Sequence, residues 1–129
     1  MATFEGEIRT MPWTYFQSTG VMQDPEGNLI ATGYSGFGDG RNNTSMEGVP
    51  NIGPIPRGSY RVGHARISTH TGPVSMDLMP IAATQTFGRS GFLVHGDNLS
   101  HTASHGCIIL ARAVREKIDR STDRELTVK

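Results

Sequence analysis

The chain has 129 residues with 12 basic and 12 acidic side chains, so its formal net charge is zero. Neither sign of charge forms a long block, so the sequence offers no electrostatic footprint for nucleic acid or an anionic membrane. A chain of this length predicts a single domain over residues 1–129, long enough to bury about two-thirds of the surface that its unfolded form exposes.

The first residues lack the pattern of an export signal. Glu5, Glu7 and Arg9 stand where a signal peptide needs an uninterrupted apolar core. The sequence contains no run of about 18 apolar residues, so we expect no membrane insertion. We expect the protein to be made in the cytoplasm without a signal peptide.

Sixteen glycines and seven prolines are spread along the chain every few positions, which favours short strands joined by turns. The runs QDPEGN and GFGDGRNN predict surface turns, and Pro54 and Pro56 predict an extended segment. Apolar and alternating runs predict strands at residues 14–17, 29–35, 58–67, 74–80 and 91–96.

One segment has convincing helical spacing. From Leu110 onward, Ala111, Val114 and Ile118 recur at the interval of a helix face, with charged residues between them, and predict about three turns. The final run ELTVK predicts a last strand. The sequence therefore predicts a mainly β fold of the β-rich α+β class, with one main helix.

The single cysteine, Cys107, directly follows Ser104, His105 and Gly106, and His95 stands twelve residues upstream. A lone cysteine cannot form an internal disulfide, so this thiol is either a buried side chain that packs in the core or a reactive group. A thiol becomes a useful nucleophile as the thiolate, which requires a nearby base or positive charge. If the apolar run from Cys107 lies beside the strand that ends at His95, imidazole and sulfur come within hydrogen-bond reach.

The residues by themselves also allow a non-catalytic role for Cys107 and for His95. Cys107 fits a small buried hydrophobe, and His95 fits a satisfied polar residue at the end of a strand. A metal site is a further alternative, but the paired spacing typical of a structural zinc site is missing, so we expect no metal and no cofactor. Its candidate ligands are His95, Asp97, His101, His105 and Cys107.

The runs HGDN and SHGCI resemble the signature of the L,D-transpeptidases, cysteine enzymes that act on bacterial peptidoglycan, and GPIPRGSYRV resembles an upstream strand of that family. Together with WTYFQSTG, GYSG and GRSGFLVHGDN, they resemble most closely the type VI secretion L,D-transpeptidase effectors. The likeness runs from about Trp13 to the helix and implies the catalytic fold of that family.

The sequence departs from the mainstream family at two places. Only eight residues, 96–103, separate His95 from Ser104, which implies a shortened lid or substrate-binding loop. Ile109 stands where the mainstream motif has asparagine or arginine.

The resemblance implies that Cys107 attacks the diaminopimelate carbonyl of a tetrapeptide stem, expels the terminal D-alanine and forms a thioester. His95 would be its base, oriented by the main-chain carbonyl of Gly96. Water, a free D-amino acid or the amine of another stem would then resolve the thioester. The alternatives are a cysteine peptidase or amidase that cuts another stem bond, and a non-catalytic wall-binding module.

Further roles follow from the same resemblance together with the chemistry of the motif. The N–H groups of Gly106 and Cys107 are candidates for an oxyanion hole. His105 would shape the pocket, and Ser104 would hydrogen-bond within the turn or serve structure alone.

Peptide stems carry carboxylates, so a planar guanidinium is a suitable anchor, and Arg89 and Arg112 are the candidates. The alternative for each is a solvated surface arginine. Asp97 and Asn98 either line the mouth of the pocket or only form the turn.

The resemblance also implies partners and a place of action. Peptidoglycan tetrapeptide stems would be the substrate, and a cognate immunity protein and a component of the type VI secretion apparatus would be protein partners. Without a signal peptide, secretion by that apparatus would deliver the protein to the periplasm of a target cell.

Overall fold

The computed structural model describes residues 11–129, so the acidic and basic residues on which the export argument rests lie outside the described residues. Within that range the chain forms ten strands and one α-helix. In chain order they are β1 (Trp13–Tyr15), β2 (Val21–Gln23), β3 (Leu29–Thr32), β4 (Tyr34–Ser35), β5 (Gly58–Val62), β6 (Arg66–Ser68), β7 (Gly72–Ile81), β8 (Leu93–His95), β9 (Ile108–Ile109), α1 (Arg112–Arg120) and β10 (Glu125–Val128).

The strands form a mixed sheet in the order β3-β2-β1-β10-β5-β7-β8-β9-β4, and β6 pairs with β7. Two pairs are parallel, β1 with β10 and β8 with β9, and the other pairs are antiparallel. The predicted mainly β fold with one main helix is confirmed. Among the described residues, no helix is long and apolar enough to cross a membrane.

The core forms because short strands alternate buried and half-buried residues, as a sheet with one covered face requires. Trp13 and Tyr15 of β1 and Leu126 and Val128 of β10 point into the same cluster. Helix α1 adds Ile118, whose full burial contributes about 1.5–3 kcal/mol of transfer free energy. The site strands β8 and β9 are anchored in this cluster through their buried residues, Val94 and Ile108.

Two predicted strands are each broken in two. The predicted strand 29–35 changes partner at Gly33, where the carbonyl oxygen of Ile109 approaches so closely that a Cβ would not fit. The predicted strand 58–67 breaks because residues 63–65 oppose only residues 76–77, and this extra residue interrupts the pairing with β7.

The ends of β1, β7 and β8 differ from the predicted ends by one or two residues, and two further differences have a local cause. The three-residue strand β2 was not predicted, because so short a run carries no periodic signal. The helix begins at Arg112 and not at Leu110, because the Leu110 N–H bonds the carbonyl of His95 and extends the contact between β8 and β9.

Candidate active site

Strands β8 and β9 position the two residues expected to act together. They lie side by side in parallel, with Val94 opposite Ile108 and His95 opposite Ile109. Cys107 directly precedes β9 and is therefore level with Leu93. His95 and Cys107 share one face of the strand pair, but they are offset by two positions, about 7 Å of strand, and do not stand directly opposite each other.

The Cys107 thiol is half-buried beside the start of β9. Its sulfur lies 3.9 Å from the Gly91 carbonyl oxygen, which makes at most a weak hydrogen bond. Burial raises the pKa of the thiol above its usual range, while a hydrogen bond from the Leu93 backbone and the charge of Arg89 oppose that rise. The resting group is therefore a neutral thiol at neutral pH.

The His95 side chain is buried, with 4% of its surface exposed. Its Nδ1 lies 2.8 Å from the carbonyl oxygen of Gly96, the contact that the resemblance implies. A carbonyl oxygen only accepts, so Nδ1 carries the proton and Nε2 is the free, unprotonated nitrogen. Burial lowers the pKa of His95, which keeps the ring neutral and able to take up a proton.

The buried hydroxyl of Ser104 holds the turn before the thiol. It donates to the carbonyl oxygen of Cys107 at 2.6 Å and accepts from the N–H of Gly36 at 2.8 Å. It also accepts from the N–H of Gly106 at 3.2 Å. One of the two N–H groups expected in the oxyanion hole is thus already engaged, by a long hydrogen bond.

Arg89 is buried at 8% exposure, so the interpretation as a solvated surface arginine is wrong for this residue. Its Nη1 donates to the carbonyl oxygens of Glu47 and Pro54, and its Nη2 donates to that of Gly53. The guanidinium also packs against Gly106, whose φ of +130° is open to glycine and strained for other residues. All three oxygens that bind Arg89 are main-chain oxygens, and they take up three of the five N–H groups of its guanidinium.

The exposed ring of His105 is stacked on Phe37, with 4.9 Å between ring centroids and 17° between planes. Its Nδ1 lies 3.1 Å from the carbonyl oxygen of Asn51. These contacts fix the imidazole between two surface hollows. One, of about 340 Å³, contains Cys107 and is lined also by Arg89, Ser90, Gly91, Phe92 and Gly106. The other, of about 320 Å³, contains His95 and is lined also by His70, Thr71, Asn98, Thr102 and Ala103.

Two further predicted residues, Asp97 and Asn98, lie on the His95 side of the site. The Asp97 carboxylate accepts from the hydroxyl of Tyr34 at 2.5 Å and from Nδ1 of His101 at 2.8 Å. The Asn98 side chain bonds both the backbone and the side chain of Thr102, four residues on. Both residues border the hollow of His95 while closing their own loop.

Arg112 is exposed and pairs with Glu116 at 3.1 Å, one helical turn away. It borders a separate hollow with Tyr34 and Arg115, so the structure does not bring it together with Arg89 at the thiol. No three histidine, cysteine or carboxylate side chains are grouped to hold a metal ion anywhere in residues 11–129.

Sequence reasoning missed Arg115, although it is as buried as Arg89. Its Nε and Nη1 donate to the carbonyl oxygens of Leu110, Pro73 and Val74. A Cβ added to Gly96 would lie 2.8 Å from its Nη2, so the guanidinium covers the glycine that follows His95. The helical spacing could have predicted the burial of Arg115, because this residue lies three positions before the buried Ile118 and therefore on the same face of the helix.

Comparisons with known proteins identify the family of the chain. No curated protein matches the chain. The family model of the Tlde1 domain matches residues 30–128, and strands β1 and β2, which precede the match, pair into the same sheet. Tlde1 domains are type VI secretion L,D-transpeptidase effectors that act on peptidoglycan. The match covers more than half of the chain, and the chain therefore belongs to the Tlde1 domain family.

Proposed function

We propose that the protein cleaves the bond between diaminopimelate and D-alanine in tetrapeptide stems, through a thioester on Cys107. One observation carries the proposal. A half-buried thiol and a buried imidazole share one face of two paired strands, and Nε2 of the imidazole is free because Nδ1 bonds Gly96. That arrangement supplies a nucleophile and a general base to a substrate in the adjoining hollows.

The first half-reaction is acyl transfer to sulfur. His95 Nε2 takes the thiol proton as the sulfur attacks the carbonyl carbon of the diaminopimelate L-centre. The C–N bond to D-alanine breaks, and the imidazolium returns the proton to the leaving amine. The N–H of Cys107 is the candidate donor to the oxyanion, and that of Gly106 joins it if its 3.2 Å bond to Ser104 lengthens.

The second half-reaction regenerates the thiol. His95 takes a proton from the acceptor, which attacks the thioester carbonyl, and the departing sulfur recovers that proton. Water gives a carboxypeptidase, a D-amino acid gives exchange and a second stem gives a crosslink. Asp97 and Asn98 border the hollow of His95, a position that supports contact with the arriving acceptor.

Arg112 remains a candidate for a stem carboxylate that extends past the loop of Asp97, since both residues border the same hollow. Arg89 is less suited to that role, because main-chain oxygens occupy three of its five N–H donors.

The resting charges favour a mechanism that starts from two neutral groups. Burial disfavours both the thiolate and the imidazolium, so the proton moves when the substrate arrives and not before. Because His95 must be unprotonated to act, we expect D-alanine release to fall with acidification only below the ordinary histidine pKa of about 6.5.

Membership of the Tlde1 domain family supports delivery by the type VI apparatus into the periplasm of a target cell. Removal of D-alanine there would deplete the donors for crosslinking. A cognate immunity protein would protect the producing cell. We expect a periplasm-targeted copy to inhibit growth and a Cys107→Ala copy, expressed to the same level, to be harmless.

The deciding experiment is mass spectrometry of purified tetrapeptide muropeptides incubated with the protein, with and without D-methionine. We expect loss of D-alanine, or its replacement by D-methionine, with the wild-type protein and not with Cys107→Ala. A product of another mass would indicate an amidase or peptidase. Unchanged stems beside a folded protein would favour a wall-binding module.

A further inference from the structure

Arg89 is a buried arginine whose hydrogen bonds all go to the main chain. Two donated bonds, of 2.8 Å to Pro54 and 3.0 Å to Gly53, and a third to Glu47 all end on main-chain carbonyl oxygens. The ring of Phe92 lies 5.5 Å from its Cζ and covers another side of the guanidinium. The side chain thereby ties the segment that contains residues 47–54 to the chain just before β8.

The charge of this guanidinium is not neutralised by a carboxylate among its hydrogen-bond partners. The nearest acidic residue in the same segment, Glu47, directs its carboxylate to Arg57 and Gln17 instead. Carbonyl oxygens offer only partial negative charge, and burying an uncompensated cation costs several kcal/mol. A protein that keeps such a charge has positive potential available for an anion that forms nearby.

The anion that the proposed reaction forms is next to it. Arg89 and Cys107 line the same hollow, and Nη2 of Arg89 occupies the space where a Cβ of Gly106 would be. The guanidinium thus lies directly behind the turn that presents the sulfur. Three of its N–H groups are bound to the main-chain oxygens of Glu47, Gly53 and Pro54.

We propose that Arg89 is a positioning residue, an inference that rests on the proposed function. It fixes the main chain around Gly106 and supplies an un-neutralised positive charge where the thiolate and the oxyanion form. It differs from an anchor for a stem carboxylate, because it acts through the turn and through the electric field at the sulfur.

The charged groups around the thiol support this role. Arg89 lowers the pKa of Cys107, and Asp77 raises it, although the Asp77 carboxylate is paired with Arg66 at 3.0 Å. The other titratable groups near the sulfur are His95, on the neighbouring strand, and His105, two residues before it. Within residues 11–129, Arg89 is thus the cation that opposes the effect of burial on the thiol.

The chain supplies a matched control in Arg115. Both arginines are more than nine-tenths buried, and both donate to three main-chain carbonyl oxygens. Arg115 covers Gly96 on the His95 side, and its charge lowers the pKa of His95 and not that of Cys107. Replacing Arg115 removes a comparable set of buried hydrogen bonds. It leaves in place the positive charge of Arg89 that acts on the sulfur.

The test is the pH dependence of Cys107 alkylation by iodoacetamide, which needs no substrate and reports on the only thiol of the chain. Arg89→Gln keeps some donors and loses the charge, so we expect the midpoint of thiol ionisation to rise by about one pH unit. Arg89→Lys keeps the charge, so its midpoint should stay at the wild-type value. Arg115→Gln should leave the midpoint within about 0.3 pH unit of wild type.

Equal midpoints for Arg89→Gln and wild type, or equal rises for Arg89→Gln and Arg115→Gln, would overturn the proposal. If Arg89→Gln does not fold, Arg89→Lys decides. For Arg89→Lys, the proposal predicts an unshifted midpoint of thiol ionisation and a kcat for D-alanine release that is lowered about tenfold, because lysine keeps the charge but loses the planar guanidinium. A raised midpoint or an unchanged kcat contradicts the proposal. If the wild-type protein releases no D-alanine, the proposed function fails, and the alkylation midpoints of Arg89→Gln, or of Arg89→Lys in its place, still judge the role of Arg89.

Discussion

The two sides of the site are built differently. On the Cys107 side, Ser104, Gly106 and Arg89 are buried, and the hydrogen bonds of Ser104 and Arg89 reach segments 35 to 68 residues away in sequence. On the His95 side the buried imidazole is followed by an exposed loop, residues 97–102, in which Leu99 is fully exposed. Most of the hydrogen bonds of that loop are local, within four residues.

The difference indicates which side tolerates change. A side chain that joins distant segments stabilises the tertiary fold, and its removal leaves partners buried and unpaired. A side chain in an exposed turn loses bonds that water replaces. We therefore expect the sulfur to be held rigidly, while the loop beside the base accommodates substitution.

On the His95 side, His95 itself should not tolerate substitution. Its replacement should have the largest effect on activity. Because the imidazole is the proposed base, His95→Gln should lower D-alanine release by about 10²- to 10⁴-fold. Single-turnover release from muropeptides would measure it, with the melting temperature as the control for folding. Retention of more than a tenth of the activity would mean that another group takes the thiol proton.

A direct comparison of the two sides is the pair Gly106→Ala and Gly96→Ala. At Gly106 a methyl group meets both a φ of +130° and the guanidinium of Arg89, so the loss of unfolding free energy should be about 2–4 kcal/mol. At Gly96 only the approach of Arg115 Nη2 opposes the methyl group, and about 1–2 kcal/mol is expected. Urea unfolding would measure both. Equal losses would contradict the asymmetry.

Ser104→Ala sharpens the same contrast with less steric disturbance. The substitution leaves the N–H groups of Gly36 and Gly106 without their acceptor, so we expect a loss of about 2–3 kcal/mol. Asn98→Ala removes bonds of the exposed loop and should cost under about 1 kcal/mol. Thermal melts of the two variants at equal concentration test the difference, and a larger loss for Asn98→Ala would refute it.

On the Cys107 side, the smallest effect is expected at the edge, in the pair of Glu47 with Arg57. Their bidentate contact, helped by Gln17, lowers the pKa of Glu47 to about 2. This carboxylate therefore stabilises the folded state fully above about pH 4.5, and the contribution disappears as the pH falls toward 2.

Because Arg57 is half exposed, Glu47→Gln should cost only about 1–2 kcal/mol at pH 7. The difference from wild type should vanish near pH 2. Denaturant unfolding at several pH values would show this convergence. Arg57→Gln is the matched variant, and the two losses should not add, since each removes the same pair.

Much of the fold followed from local sequence patterns. The spacing of Val114 and Ile118 predicted the helix, and the run at residues 91–96 predicted the strand that ends at His95. The breaks at Gly33 and at residues 63–65 could not be predicted, because each depends on the approach of a distant strand. A window of neighbouring residues does not contain that information.

The sequence by itself determined the chemistry available and its family, because the motif around His95 and Cys107 places particular groups at fixed chain positions. Only the tertiary structure decided that Arg89 is buried while Arg112 is exposed. Burial of a charge depends on acceptors from distant segments, here residues 47–54, and their positions exist only once the chain has folded.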